Sequence, residues 1–198
     1  MIHLVIGGAR SGKSAYAEAL AVNWCAAQPG RQVIYVATAV AGDGEMRRRI
    51  AHHQARRPAE WELIESPLAL AETLRLAARP DTLLLVDCLT LWLSNLLFAG
   101  KAAVQAEAGE PVICEVLSGQ QADFLAALAS SAGPVVLVSN EVGWGIVPMG
   151  AVSRLFVDEQ GRLNQRVAVL ADSVILIAAG LPLVLKPVAH DAPPVQGG

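Results

Sequence analysis

Short apolar runs alternate along this chain with stretches whose apolar residues recur at helical spacing. Ile2 to Ile6, Val33 to Ala37, Thr82 to Val86 and Pro134 to Val138 are apolar at nearly every position, the pattern of strands buried on both faces of a sheet. Between them, Lys13 to Ala27 has helical spacing and is stopped by Pro29-Gly30, and Pro67 to Ala78 starts on a proline with Pro80 beyond its end. Leu89 to Phe98, Val112 to Ser130 and Gly150 to Ala171 predict further helices, and Glu45 to Arg57 predicts a highly charged one. Trp61 to Ile64 reads as an additional short strand, and Ser173 to Ala178 with Leu183 to Lys186 as a hairpin around Gly180-Leu181-Pro182. Ala99 to Glu110 turns to Ala, Gly and charge, the pattern of a loop or a frayed helix end, and the proline-bearing stretch 187–198 reads as a disordered tail. The alternation predicts one α/β domain over residues 1–186. Its sheet is doubly wound and mainly parallel, with a C-terminal hairpin and ligands at the carboxyl ends of the strands.

Composition narrows this picture. The chain is 54% hydrophobic with a mean hydropathy of +0.43, which a sheet covered on both faces explains. The strongest membrane-span candidate, Val167 to Leu185, is interrupted by Asp172, Gly180 and Pro182 and reads as a helix end, a strand and a turn. The chain begins inside an apolar strand, so no leader is expected, and a cytoplasmic location is. A formal net charge of −3 gives no basic footprint for nucleic acid. Cys25, Cys88 and Cys114 lack metal-ligand spacing and read as small apolar residues.

The chemistry starts directly after the first apolar run. Gly7-Gly8-Ala9-Arg10-Ser11-Gly12-Lys13-Ser14 is a G-x-x-x-x-G-K-[ST] loop in the required strand-to-helix setting. Its backbone N–H groups and the positive end of the following helix would face a triphosphate, with Lys13 on the β- and γ-phosphates and the Ser14 hydroxyl on Mg²⁺. The strand ending at Val86 is closed by Asp87, either a second Mg²⁺ ligand or a cap for the next helix. Ala37-Thr38 and Ser139-Asn140-Glu141 are polar exits from other buried strands, open to a crevice role or to turn chemistry. The glycine-flanked Trp144 after Glu141 fits either a substrate lid or a packed connector.

The charged segment places Arg48, His52 and Arg56 on one helical face and Arg49 and His53 on the next. An imidazole backed by guanidinium groups can attack phosphorus while the arginines neutralise phosphate charge. A solvated basic helix is the plainer alternative, and spacing does not choose between His52 and His53.

Taken in order, these blocks resemble the bifunctional adenosylcobinamide kinase/adenosylcobinamide-phosphate guanylyltransferases. The resemblance rests on the loop Gly7 to Ser14, Tyr35-Val36-Ala37-Thr38, Glu45-Met46 with Arg49-Ile50 and His52-His53, and Arg57-Pro58 with Trp61 and Glu65. It continues through Asp87-Cys88-Leu89-Thr90, Asn95-Leu96-Leu97, Val138 to Gly143 with Gly145 to Pro148, and Gly161-Arg162-Leu163-Asn164-Gln165-Arg166. Gly44, where members often carry an acidic residue, and the stretch 99–110 depart from the pattern.

The resemblance implies a recombinase-like phosphate-loop fold and two reactions. Adenosylcobinamide is phosphorylated with ATP or GTP, and GMP then passes from GTP to that phosphate through a covalent histidine adduct, releasing pyrophosphate. It assigns the adduct to His52 and further nucleotide contacts to Ala37, Thr38, Ala39, His53, Gln54, Ala55, Arg56, Glu65 and Asp87. It also implies a homo-oligomer, trimeric in the best-known members. A single-function small-molecule kinase would use the same loop and Asp87 without forming the adduct.

Overall fold

In a computed structural model the protein is described over residues 1–40, 42, 44, 47–48 and 57–188. Seven strands form one sheet: β1 (Ile2–Gly7), β2 (Gln32–Ala37), β3 (Glu62–Glu65), β4 (Thr82–Asp87), β5 (Val135–Asn140), β6 (Ser173–Ala178) and β7 (Leu181–Lys186). Their order is β3-β2-β4-β5-β1-β6-β7, parallel throughout except for the final antiparallel strand. The helices with described bounds are α1 (Lys13–Ala26), α2 (Leu70–Ala77), α3 (Leu89–Ala99), α4 (Ala102–Glu107), α5 (Glu115–Ala129) and α6 (Ala151–Leu170).

The continuous apolar runs are explained by two separate cores. Alternate strand residues point to opposite faces. Leu4, Ile6, Leu84, Val86 and Leu137 meet α2, α3, α5 and α6 on one face, while Val5, Leu83, Leu85, Val136 and Val138 meet Ala17 and Ala21 of α1 on the other. Small residues on α1 let it lie close to the sheet, and so it carries the phosphate loop at its start. Trp92 is fully buried on the opposite side, its ring 5.0 Å from that of Phe124 and its indole N–H donating to the Leu68 carbonyl at 2.9 Å.

The interruptions in Val167 to Leu185 have defined places. Asp172 accepts a hydrogen bond from the Ile2 N–H at 2.6 Å and donates its own N–H to the Ile2 carbonyl at 2.8 Å, pinning the start of β1 beside β6. Among the described residues no helix is long and apolar enough to cross a membrane. The terminal hairpin forms, but its turn is Ala179-Gly180, with Leu181 and Pro182 already in β7. Pro182 is tolerated there because β7 is an edge strand. The stretch 99–110 contains the short helix α4, which buries Ala102, Ala103 and Ala106. The fifth helix starts at Glu115, three residues later than its apolar pattern, and the second at Leu70. The charged helix predicted over Glu45 to Arg57 lies largely outside the described residues, as does the tail beyond 188.

Lys186 closes the hairpin by donating to the Ala168, Val169 and Ala171 carbonyls at the end of α6. A cation suits those carbonyls because the helix leaves its last C=O groups unpaired at the negative end of its dipole. Replacing Lys186 with Met should lower stability by about 1 kcal/mol, a value reduced for solvent exposure. Urea unfolding should show it as a lower midpoint with an unchanged slope, whereas an unmoved midpoint would mean that the cap contributes nothing.

Candidate active site

The phosphate loop leaves β1 at Gly7 and enters α1 at Lys13. Its backbone lies against β6: a Cβ on Gly7 would stand 2.5 Å from the Ile177 carbonyl oxygen and 2.6 Å from Ser11 Oγ, so only glycine fits. At the other end of the loop the Gly180 N–H donates to the Ser11 carbonyl at 2.9 Å, and the Gly180 Cα lies 3.4 Å from where a Gly12 Cβ would be. The hairpin turn therefore braces the loop from behind. The Ser11 N–H bonds back to the Gly8 carbonyl at 3.3 Å, while the first N–H groups of α1 have no acceptor within the helix and face forward.

Lys13 is buried at 9% exposure, with its ammonium donating to the Gly8 carbonyl at 3.0 Å. Burial lowers its pKa, and Cys88 and Asp87 act in the opposite direction. The unfolded chain thus holds this proton more tightly than the ligand-free fold does. The fold consequently gains stability from this group as pH rises from the lowered value into the ordinary lysine range.

Asp87 ends β4, and its Oδ2 accepts a hydrogen bond from the Tyr35 hydroxyl at 3.0 Å. Burial, and then the neighbouring Asp87 charge, push the Tyr35 pKa up, so the phenol remains a donor. Arg57 stacks over the Tyr35 ring at 4.4 Å from its centroid, which joins the end of the basic segment to the Asp87 environment. The Cys88 thiol is pushed up to about 11 by burial and by Asp87, which keeps it protonated and a poor nucleophile.

Thr38 is fully buried. Its hydroxyl donates to the Cys88 carbonyl at 2.7 Å and accepts from the Cys88 N–H at 2.9 Å. The hydroxyl is thereby committed to the turn after Asp87. Asn95 adds a second tie, donating to the Thr38 and Pro67 carbonyls at 2.8 and 3.0 Å. Ala37 lies in register between Asp87 on β4 and Glu65 on β3, so these three share one row at the carboxyl edge, with Glu65 exposed and Ala39 half-buried just beyond. His52, His53, Gln54, Ala55 and Arg56 lie outside the described residues.

Of the other polar exits, Ser139 is fully buried and bonded to α6. The loop after Glu141 leaves Trp144 71% exposed, so this aromatic is not a packed connector residue. Beside that loop is a cleft of about 260 Å³ lined by Phe98, Val142, Pro148 and Phe156. The sequence gives no role to Tyr35 and Asn164, named only within the family pattern, or to Gln160; the structure bonds Tyr35 to Asp87 and joins Gln160 to Asn164 at the end of β5. The signal for the last two was polarity on a helical stripe shared with the buried Leu163 and Val167.

A glycine-rich loop between a buried strand and a helix, a buried lysine on that loop and a carboxylate at a nearby strand end define a phosphate-loop nucleotide-binding protein. Solved structures agree on the fold. The EscN ATPase of the enteropathogenic E. coli type III secretion system superposes with a TM-score of 0.57 at 15% identity, covering 96% of this chain and 48% of that one. A second ATPase from the type III secretion system of pathogenic bacteria superposes at 0.54 and 13%, covering 98% of this chain and 59% of the other. This chain thus spans about half of each ATPase.

The particular family comes from sequence. The family described as cobinamide kinase/cobinamide phosphate guanyltransferase matches residues 3–185, and the chain belongs to it. It is 50% identical over 186 residues to the bifunctional adenosylcobalamin biosynthesis protein CobP of Pseudomonas aeruginosa, covering 94% of this chain and 98% of that protein. It is 40% identical to the bifunctional adenosylcobalamin biosynthesis protein CobU of Salmonella typhimurium, covering 94% of this chain and all of that protein.

Two outcomes test this geometry. Lys13→Met removes a buried charge and should raise the thermal midpoint of the ligand-free protein by about 2–4 °C while abolishing the further rise given by a triphosphate. A lower ligand-free midpoint would show that desolvation is not the leading effect at Lys13. Gly180 has φ +80°, so Gly180→Val should strain the turn, release Ser11 and raise KM for the triphosphate by about tenfold, a loss near 1.4 kcal/mol in loop order. Initial rates against nucleotide concentration read this, and an unchanged KM would separate the turn from the loop.

Proposed function

We propose that this chain phosphorylates the alcohol of adenosylcobinamide and then transfers GMP from GTP to the new phosphate, using one triphosphate site for both steps. Family membership carries the pair of activities. The observation behind a shared site is the phosphate loop, with buried Lys13 beside the strand end that bears Asp87.

In the kinase step the alcohol oxygen forms a bond to the γ-phosphorus and the bond from that phosphorus to the β-phosphate breaks. The loop N–H groups and Lys13 carry the charge that moves onto the leaving diphosphate. Ser14 and Asp87 are the residues to hold Mg²⁺, being a hydroxyl and a carboxylate of the hard-oxygen type this ion takes alongside substrate phosphates. When bound, the ion supplies neutralisation of phosphate charge.

In the guanylyl step a neutral imidazole attacks the α-phosphorus, pyrophosphate leaves, and the phosphate of the acceptor displaces the histidine. His52 is the residue we assign, from its place in the family pattern. Arg48 and Arg56 share its helical face by spacing, and cations nearby favour the neutral, attacking form. The stacking of Arg57 on Tyr35 supports a basic segment that ends against the Asp87 environment. His53, Gln54, Ala55, Arg56 and Glu65 complete the nucleotide contacts in this reading, which also makes the enzyme a cytoplasmic homo-oligomer.

His52→Ala should abolish labelling of the protein by GTP radiolabelled in its α-phosphate while adenosylcobinamide phosphorylation continues. Full labelling of the variant would overturn the His52 assignment. Wild-type protein that phosphorylates adenosylcobinamide yet never accumulates label or releases pyrophosphate would overturn the two-step reading.

A further inference from the structure

The end of β5 carries a buried polar cluster that phosphate binding does not explain. Asn164, on α6, is 6% exposed, and its Oδ1 accepts from the Ser139 hydroxyl at 2.7 Å and from the Gln160 amide at 3.1 Å; Ser139 and Gln160 are fully buried. Gln160 also donates to Ser139 Oγ at 2.8 Å. With its oxygen held this way, the Asn164 NH₂ group has one orientation. It donates to the Asn140 carbonyl at 3.1 Å and to Glu141 Oε1 at 2.9 Å.

Burying this many polar groups opposes folding unless each is paired, and Gln160 Oε1 has no partner among the described residues. Aliphatic side chains would fill the same space without that penalty. What the cluster delivers is a fixed carboxylate. The Glu141 N–H donates to the Gly7 carbonyl at 3.1 Å, one residue beyond the row that pairs Gly7 with Asn140. Because β5 lies between β1 and β4, Glu141 leaves the sheet between the phosphate loop and the Asp87 strand. No cationic side chain among the described residues pairs with it, and its Oε2 has no protein partner there.

We infer that Glu141 is the catalytic carboxylate of the kinase step, orienting the acceptor alcohol and taking its proton, and that Asn164 is its positioning residue. As the alcohol oxygen bonds to the γ-phosphorus, its proton passes to Glu141. The electron pair of the breaking bond stays on the leaving diphosphate, and Glu141 later returns the proton to water. The guanylyl step has no alcohol proton to remove, since its final acceptor is already a phosphate. Glu141 therefore serves one of the two reactions.

This inference rests on the two-step reading, and the two can be tested apart. Purified wild-type and variant proteins are assayed for adenosylcobinamide phosphorylation, and separately for GMP labelling and guanylyl transfer to adenosylcobinamide phosphate made beforehand. Glu141→Gln should lower kcat of phosphorylation by about 10²–10³-fold with KM for the triphosphate within about threefold, and leave labelling and guanylyl transfer within about threefold of wild type. Glu141→Asp should restore part of the lost rate. Asn164→Ala should lower phosphorylation kcat by about tenfold without moving KM, and add nothing in a double variant with Glu141→Gln. Phosphorylation surviving Glu141→Gln within about threefold overturns the inference, as does equal loss of both activities, which marks a structural role. A wild-type protein without adenosylcobinamide kinase activity overturns the two-step reading and this inference with it.

Discussion

At Gly7 the chain passes so close to β6 that no side chain fits between the loop and the Ile177 carbonyl, and the glycine-rich loop starts from that contact. Strand β6 is itself fixed at both ends. Asp172 ties its start to Ile2, and the Ala179-Gly180 turn at its end donates to Ser11. The C-terminal hairpin, remote in sequence, is thus part of the phosphate loop's support. Beyond extending the parallel sheet by an antiparallel strand, the hairpin puts its turn in hydrogen-bonding contact with the loop.

The loop also carries a cation whose burial is unfavourable and is offset only in part by nearby Asp87. Lys13 is buried before any phosphate arrives, and Asp87 stands at the neighbouring strand end with Tyr35 donating to it. Thr38 and Asn95 hold the turn after Asp87 through backbone groups, so the carboxylate stays in place when charge nearby changes. Such pre-set dipoles need no reorganisation as a phosphate is transferred, which is where their benefit to the rate lies. Burial that lowers the Lys13 pKa also means that this one group, while charged, opposes folding of the ligand-free protein.

Much of this was legible in the sequence because strands buried on both faces leave unbroken apolar runs, and a loop built on backbone geometry needs glycines at fixed spacing. Asp87 was readable for the same reason, as a charge closing a buried run. What escaped depends on contacts between distant segments. The bonds of the Thr38 hydroxyl are made to Cys88, fifty residues on, and nothing local announces that partner. The hairpin turn was placed too late because Pro182 looks like a turn residue, while its edge position lets it stay in a strand. The link between Gln160 and Asn164 is hidden in a helical pattern, although polar residues on its buried stripe are the available sign.

Strand order also bears on how one loop can support two reactions. In sequence His52 falls between β2 and β3, two strands on one side of β4, while Glu141 follows β5 on the other. Asp87 ends β4, between these strands. A triphosphate held by the loop presents its γ-phosphorus and its α-phosphorus two positions apart, so the groups acting on each must come from different directions to avoid competing for one space. In the proposed reading the strand order provides this separation, since β2 and β3 lie on one side of β4 and β5 on the other. In that reading the bound nucleotide need not shift between steps, because His52 would reach the α-phosphorus, and the alcohol held by Glu141 the γ-phosphorus, from opposite sides of β4.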